Sequence, residues 1–127
     1  LNDPPGHLIL TVISADLDFL IDIHKFVRLI FFKYFNLHQY FTHLVSGEDF
    51  PNSKPHPAIF EHAAKLSQTS VENCIVIEDS TNGIKAAHAA GIFCVGYRSI
   101  NSKKQDYSLA NLVIDKFEEL DFKTILK

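Results

Sequence analysis

The sequence predicts an α/β fold built on a mainly parallel sheet. Short apolar runs without polar alternation, "LILTVIS", "CIVI" and "IFCVGY", read as strands covered on both faces, the habit of parallel sheets. Segments with helical apolar spacing stand between them, so strand and helix alternate along the chain. No internal repeat and no low-complexity tract interrupts that alternation.

Each element follows from local chemistry. "NDPPG" reads as a turn or ragged end, and a strand follows from about Leu8 to Ile13. A helix is predicted over residues 22 to 35, where Phe26, Ile30 and Tyr34 recur at four-residue spacing beside Val27 and Phe31. Asn36 tolerates the left-handed conformation that ends helices. "HLVS" at 43 to 46 reads as a short strand, and "GEDFPNSKPHP" as a loop marked by Gly47 and its prolines. Pro57 suits the first turn of a helix to Leu66, with Ile59, Ala63 and Leu66 as its apolar face. Ser70 is placed to cap a short turn before the strand at Cys74. A helix from Asn82 to Ala90 ends at Gly91. Strands at 92 to 97 and 112 to 114 follow, and "FEELDFKTILK" reads as a terminal helix.

At 127 residues the chain suits one domain, 1 to 127, with enough apolar content for a core. Twelve basic against 15 acidic side chains give no electrostatic footprint for nucleic acid. A mildly acidic protein binds phosphate by recruiting a cation. The apolar runs are too short and too interrupted to span a bilayer, and no basic region precedes an apolar leader. The expectation is therefore a cytoplasmic protein without a membrane partner. Cys74 and Cys94 fall in predicted buried strands and form no CxxC, so they read as reduced core thiols. The histidines make no metal-ligand spacing, and P-loop, G-x-G-x-x-G and G-x-S-x-G motifs are absent from the sequence.

The residues with most chemical content are Glu78 and Asp79. They end a buried strand, where open α/β sheets bind ligands. Adjacent carboxylates repel in low dielectric, so an opposite charge must offset them. A hard cation with oxygen ligands, magnesium foremost, would do so. The alternative is a strand end that simply reaches solvent. In "DSTNG", Ser80 or Thr81 can cap the next helix, and Asn82-Gly83 allows an anion close to its free N–H groups. Lys54 sits in a proline-stiffened loop and is either aimed at a phosphate and a carboxylate or free at the surface. His56 is a further candidate for substrate contact.

"SGEDFPNSKPHPAIF" followed by "IVIEDSTNGIKAAHAAGIFCVGY" resembles the haloacid dehalogenase superfamily, in the branch of beta-phosphoglucomutase and sugar-phosphate phosphatases. The resemblance runs from Tyr40 to Tyr97 and more loosely to the C-terminus. It implies a Rossmann-like three-layer core. Lys54 would steady phosphate and nucleophile, Glu78 and Asp79 would hold Mg2+, and Ser80 to Gly83 would form the turn beside the metal, with Asn82 near the phosphate. It implies a magnesium-dependent phosphohydrolase acting on a small phosphorylated metabolite, or a sugar phosphomutase. Both work through a phosphoaspartyl intermediate, with a second aspartate two residues on as acid and base. The family's helical cap is not visible in this sequence.

The family's first motif, Asp-x-Asp-Gly-Thr or Val after a buried strand, has two readings here. In one, "LILTVIS" is the second conserved strand and Ser14 the hydroxyl that binds phosphate. The nucleophile then lies upstream of Leu1, and the core needs an N-terminal segment or self-association to complete its sheet. In the other, "ADLDFLID" is a degenerate first motif, with Asp16 as nucleophile and Asp18 as acid-base group. Phe19 stands where the family has glycine. A noncatalytic remnant that keeps the fold is the rival to both. The sheet separates the two readings, because the first-motif strand lies directly beside the "IVIED" strand.

Overall fold

The structure, a computed structural model, describes residues 8–10, 34, 36, 43, 45, 47–98, 100, 104–121 and 125. Within them the chain runs β1 (Leu8–Leu10), α1 (Ala58–Leu66), β2 (Cys74–Glu78), α2 (Thr81–Ala89), β3 (Phe93–Tyr97) and β4 (Leu112–Ile114). Short 3-10 turns lie at Gly47–Asp49, Val71–Asn73 and Phe117–Glu119. The strands form one sheet in the order β1-β2-β3-β4, every pair parallel. Leu8 faces Cys74, Ile77 faces Val95, and Tyr97 faces Ile114. The expected α/β class with a mainly parallel sheet is what the chain forms.

β2 is apolar at consecutive positions because both of its faces are covered. Cys74 and Val76 join Ile59, Phe60 and Ala64 of α1 and Ile84, Ala86 and Ala87 of α2. Ile75 packs on the other face with Val95 and Ile114, where Leu120 and Ile125 also lie. Ala86 and Ala87 are fully buried, and their small side chains let α2 lie close on the sheet. Each helix ends on a left-handed residue nearby. Gly91 takes φ +72° after α2, as its position in the sequence predicts, and Gln68 takes φ 53° after α1.

The structure departs from expectation at several places, and Ser70 precedes the turn at Val71–Asn73 without a side-chain capping bond. His43 and Val45 belong to no strand, so the strand expected at 43 to 46 is not found in the described residues. Leu66, expected on the apolar face of α1, is 40% exposed. The terminal helix does not begin at Phe117, although Ile125 further on is helical and its N–H bonds the Asp121 carbonyl at 3.2 Å. Glu119 folds its carboxylate back to accept the N–H groups of Asp115 and Lys116, each at 2.6 Å. That closes a single turn, and Leu120 leaves it extended at φ −74° and ψ 114°. Of the helix expected at 22 to 35, Tyr34 is described and is helical; Asn36 has the left-handed φ of 56° expected of a terminator.

β1 bears on the first motif. It pairs directly with β2, the neighbour relation required if Leu8–Leu10 leads into Asp16 and Asp18. Ser14, Asp16 and Asp18 themselves lie outside the described residues. Among the described residues no helix is long and apolar enough to cross a membrane.

Candidate active site at the carboxyl end of β2

Side-chain alternation along β2 sends Glu78 to the same face as Cys74 and Val76, toward α2. Glu78 is 3% exposed. A carboxylate at that depth needs partners for both oxygens. Oε1 accepts from Lys54 Nζ at 2.6 Å. Oε2 accepts from the Ser80 hydroxyl at 3.1 Å and, at longer range, from the Ser80 N–H at 3.4 Å. Burial pushes the Glu78 carboxyl up from its ordinary value, against the opposing pull of Lys54 and Ser80. Gly83 completes the niche. A β-carbon there would stand 2.0 Å from Glu78 Oε2, so the glycine of "DSTNG" makes room for this carboxylate inside the protein.

Lys54 is drawn inward from its loop. Its side chain is 10% exposed, and Nζ also lies 5.1 Å from the centroid of the Phe60 ring. The proline-stiffened segment thus delivers a buried cation to the end of β2. Of the two readings of Lys54, the free surface lysine does not describe it. His56 acts locally, since its Nδ1 accepts the Ala58 N–H at 3.1 Å, at the start of α1.

One residue on, the chain turns outward and Asp79 is exposed. The two acidic neighbours therefore occupy different environments. Glu78 is bonded to Lys54 and Ser80, while Asp79 presents its carboxylate at the mouth of the strand end. Ser80 caps α2 by accepting the Gly83 N–H at 3.0 Å. The Thr81 N–H goes to Gln105 Oε1 at 2.7 Å. Two N–H groups of the expected anion cradle are thus taken by protein groups, and Asn82 beside them is exposed.

Magnesium, expected from the sequence, is tested by this donor set. Among the described residues no group of three or more His, Cys, Asp or Glu gathers as a metal cluster. Asp79 suits a hard cation: it is an exposed oxygen donor beside the buried Lys54–Glu78 pair. Among the described residues Glu78 Oε1 accepts from Lys54 alone, so it keeps acceptor capacity for a cation beside Asp79.

The segment from Gln105 to Asn111 carries contacts that no motif announced. Gln105 and Asp106 bond Thr81, Tyr107 Oη donates to the Asp79 carbonyl at 3.4 Å, and Asn111 binds Cys94 through both its main chain and its side chain. These partners are 17 to 28 positions away in sequence, beyond any local spacing.

Comparison with known proteins meets this geometry. The model of the haloacid dehalogenase-like hydrolases matches residues 26–97. The chain is 43% identical over 56 residues to 6-phosphogluconate phosphatase of Escherichia coli, covering 44% of this chain and 25% of that protein. The crystal structure of beta-phosphoglucomutase from Clostridium difficile is 39% identical with a TM-score of 0.52, over 61% of this chain and 33% of that one. A haloacid dehalogenase hydrolase of family IA from Entamoeba histolytica superposes more widely, with a TM-score of 0.68 at 26% identity, over 78% of this chain and 46% of that one. The chain spans about a quarter to a third of the length of such curated relatives. With over half of its residues in the family match, and with the sheet, the buried lysine–glutamate pair and the outward aspartate at one strand end, the chain belongs to the haloacid dehalogenase-like hydrolases.

Proposed function

We propose that the protein carrying this chain is a magnesium-dependent phosphohydrolase acting on small phosphorylated metabolites of the sugar-phosphate type. The observation that carries the reading is the Lys54–Glu78 pair, buried at the carboxyl end of β2 with Asp79 exposed beside it. A cation fixed by a carboxylate inside the protein has a defined position from which to meet a phosphoryl oxygen. The names of similar proteins, a sugar-acid phosphatase and a phosphoglucomutase, support the substrate class.

In this reading Glu78 and Asp79 hold Mg2+ together with acidic groups of the first motif, and Lys54 steadies the phosphate beside Glu78. Bound there, Mg2+ supplies charge neutralisation between phosphate and carboxylates. The pairing of β1 with β2 supports Asp16 as the nucleophile that takes the phosphoryl group, with Asp18 as the acid that protonates the leaving oxygen. Ser14, the phosphate-binding hydroxyl in the other reading, then has no assigned part. Phe19 in the family's glycine position favours a second reading, a remnant that keeps the fold without turnover.

Phosphate release from p-nitrophenyl phosphate, with and without magnesium, tests the proposal. The expected result is magnesium-dependent turnover that Asp79→Asn and Asp16→Asn each abolish. Turnover untouched by Asp79→Asn would overturn the site. No release from this folded chain would overturn Asp16 as the nucleophile and leave the upstream nucleophile and the remnant as the surviving readings.

A further inference from the structure

The contacts of Gln105 are concentrated on the chain around Asp79. Its Oε1 accepts twice from Thr81, from the N–H at 2.7 Å and the hydroxyl at 2.8 Å. The Thr81 hydroxyl oxygen in turn accepts the Asp106 N–H at 2.9 Å. Tyr107 Oη reaches the carbonyl of Asp79 at 3.4 Å. Three consecutive residues therefore hold the chain on both sides of Ser80, Gln105 and Tyr107 at main-chain atoms and Asp106 at the Thr81 hydroxyl.

The holder is itself anchored. A β-carbon at Gly96 would stand 2.9 Å from Tyr107 Cδ1 and 3.1 Å from Ala110 Cβ, so this segment lies against the backbone of β3. Asp106 Oδ1 accepts the Ser108 N–H at 2.9 Å, and the Ala110 N–H bonds the Tyr107 carbonyl at 3.0 Å. Asn111 then locks to Cys94 with two bonds of 2.8 Å. An exposed carboxylate such as Asp79 is aimed by the main chain that bears it. That main chain is fixed by a segment of the chain far from it in sequence.

We infer that Gln105 is a positioning residue for the cation at Asp79, acting through Thr81 as a clasp on the acidic turn. The inference rests on the proposed reading of Asp79 as a magnesium ligand. Groups that orient a ligand from behind commonly change metal affinity without touching the metal.

The test is calorimetric titration of the protein with Mg2+, alongside amide exchange at Thr81. Gln105→Leu keeps the volume and removes the acceptor. It is expected to speed exchange at Thr81 and to raise the Kd for Mg2+ by about tenfold. Thr81→Ser, which keeps the hydroxyl, is expected to bind like the wild type. Should Gln105→Leu not fold, Thr81→Val removes the same hydroxyl bonds and is expected to weaken binding likewise. A folded Gln105→Leu protein with the wild-type Kd overturns the clasp and leaves the proposed function standing. A wild-type protein that binds no Mg2+ overturns both, and so the two failures are distinct.

Discussion

Gly83 and Glu78 show how one side chain dictates another. Position 83 belongs to a helix, where glycine is a poor choice. It is tolerated because the Glu78 carboxylate fills the space of a β-carbon, and Lys54 and Ser80 hold that carboxylate in place. Gly83→Ala is expected to cost about 1–3 kcal/mol in urea denaturation, as overpacked cores do. In a Glu78→Ala background the same change should cost far less, since the obstructing group is gone. Equal costs in both backgrounds would place the clash elsewhere. Cys94 is a second residue governed by its surroundings. Burial first, then the charge of Glu78, push its thiol up to about 12, with Lys54 opposing. In the unfolded chain the thiol ionises near its ordinary value of 9.0. Between those values the unfolded chain loses a proton that the folded one keeps, so stability falls as pH rises. Denaturation above pH 9 should therefore show a steeper loss for the wild type than for Cys94→Ala, and parallel slopes would refute the assignment.

At the scale of elements, β3 and β4 are joined by a side chain as well as by strand pairing. Asn111 Oδ1 accepts the N–H of Cys94, and its own N–H bonds the Cys94 carbonyl, both at 2.8 Å. The ladder thus gains a rung before β4 begins at Leu112. Asn111→Ala leaves a buried N–H unpaired and is expected to cost about 1–3 kcal/mol. Faster amide exchange at Cys94, with β2 unchanged, would locate the loss; uniform acceleration across the sheet would not. These elements are unequally legible in the sequence. β2, α2, β3 and β4 are readable because their apolar runs, the serine cap and Gly91 are local signals. Leu112–Ile114 in particular lies where "LVI" predicts it. The turn at Phe117–Glu119 reads as a helix in sequence because its cause is a carboxylate folding back on earlier N–H groups, which helical spacing does not encode. The acidic pair stands out at a strand end, and Lys54 between the prolines of its loop. The different surroundings of Glu78 and Asp79 do not, since adjacent letters carry no record of which one faces inward. Gln105 is invisible for the same reason in stronger form: its partner Thr81 is 24 positions away.

Across the whole molecule, the sheet draws its neighbours from very different distances along the chain. Ile75 finds Phe93 and Val95 finds Leu112 across a single connection each, whereas Leu8 must find Cys74 across the entire first half. Closing a longer loop costs more entropy before any contact rewards it. Pulse-labelled amide exchange during refolding is therefore expected to show β2 to β4 protected before β1, and simultaneous protection would refute that order. Until β1 docks, one edge of β2 keeps its hydrogen-bonding groups open to any other extended segment. Within the described sheet, the strand that covers this edge of β2 is thus also the one whose docking would compete with pairing to a second chain.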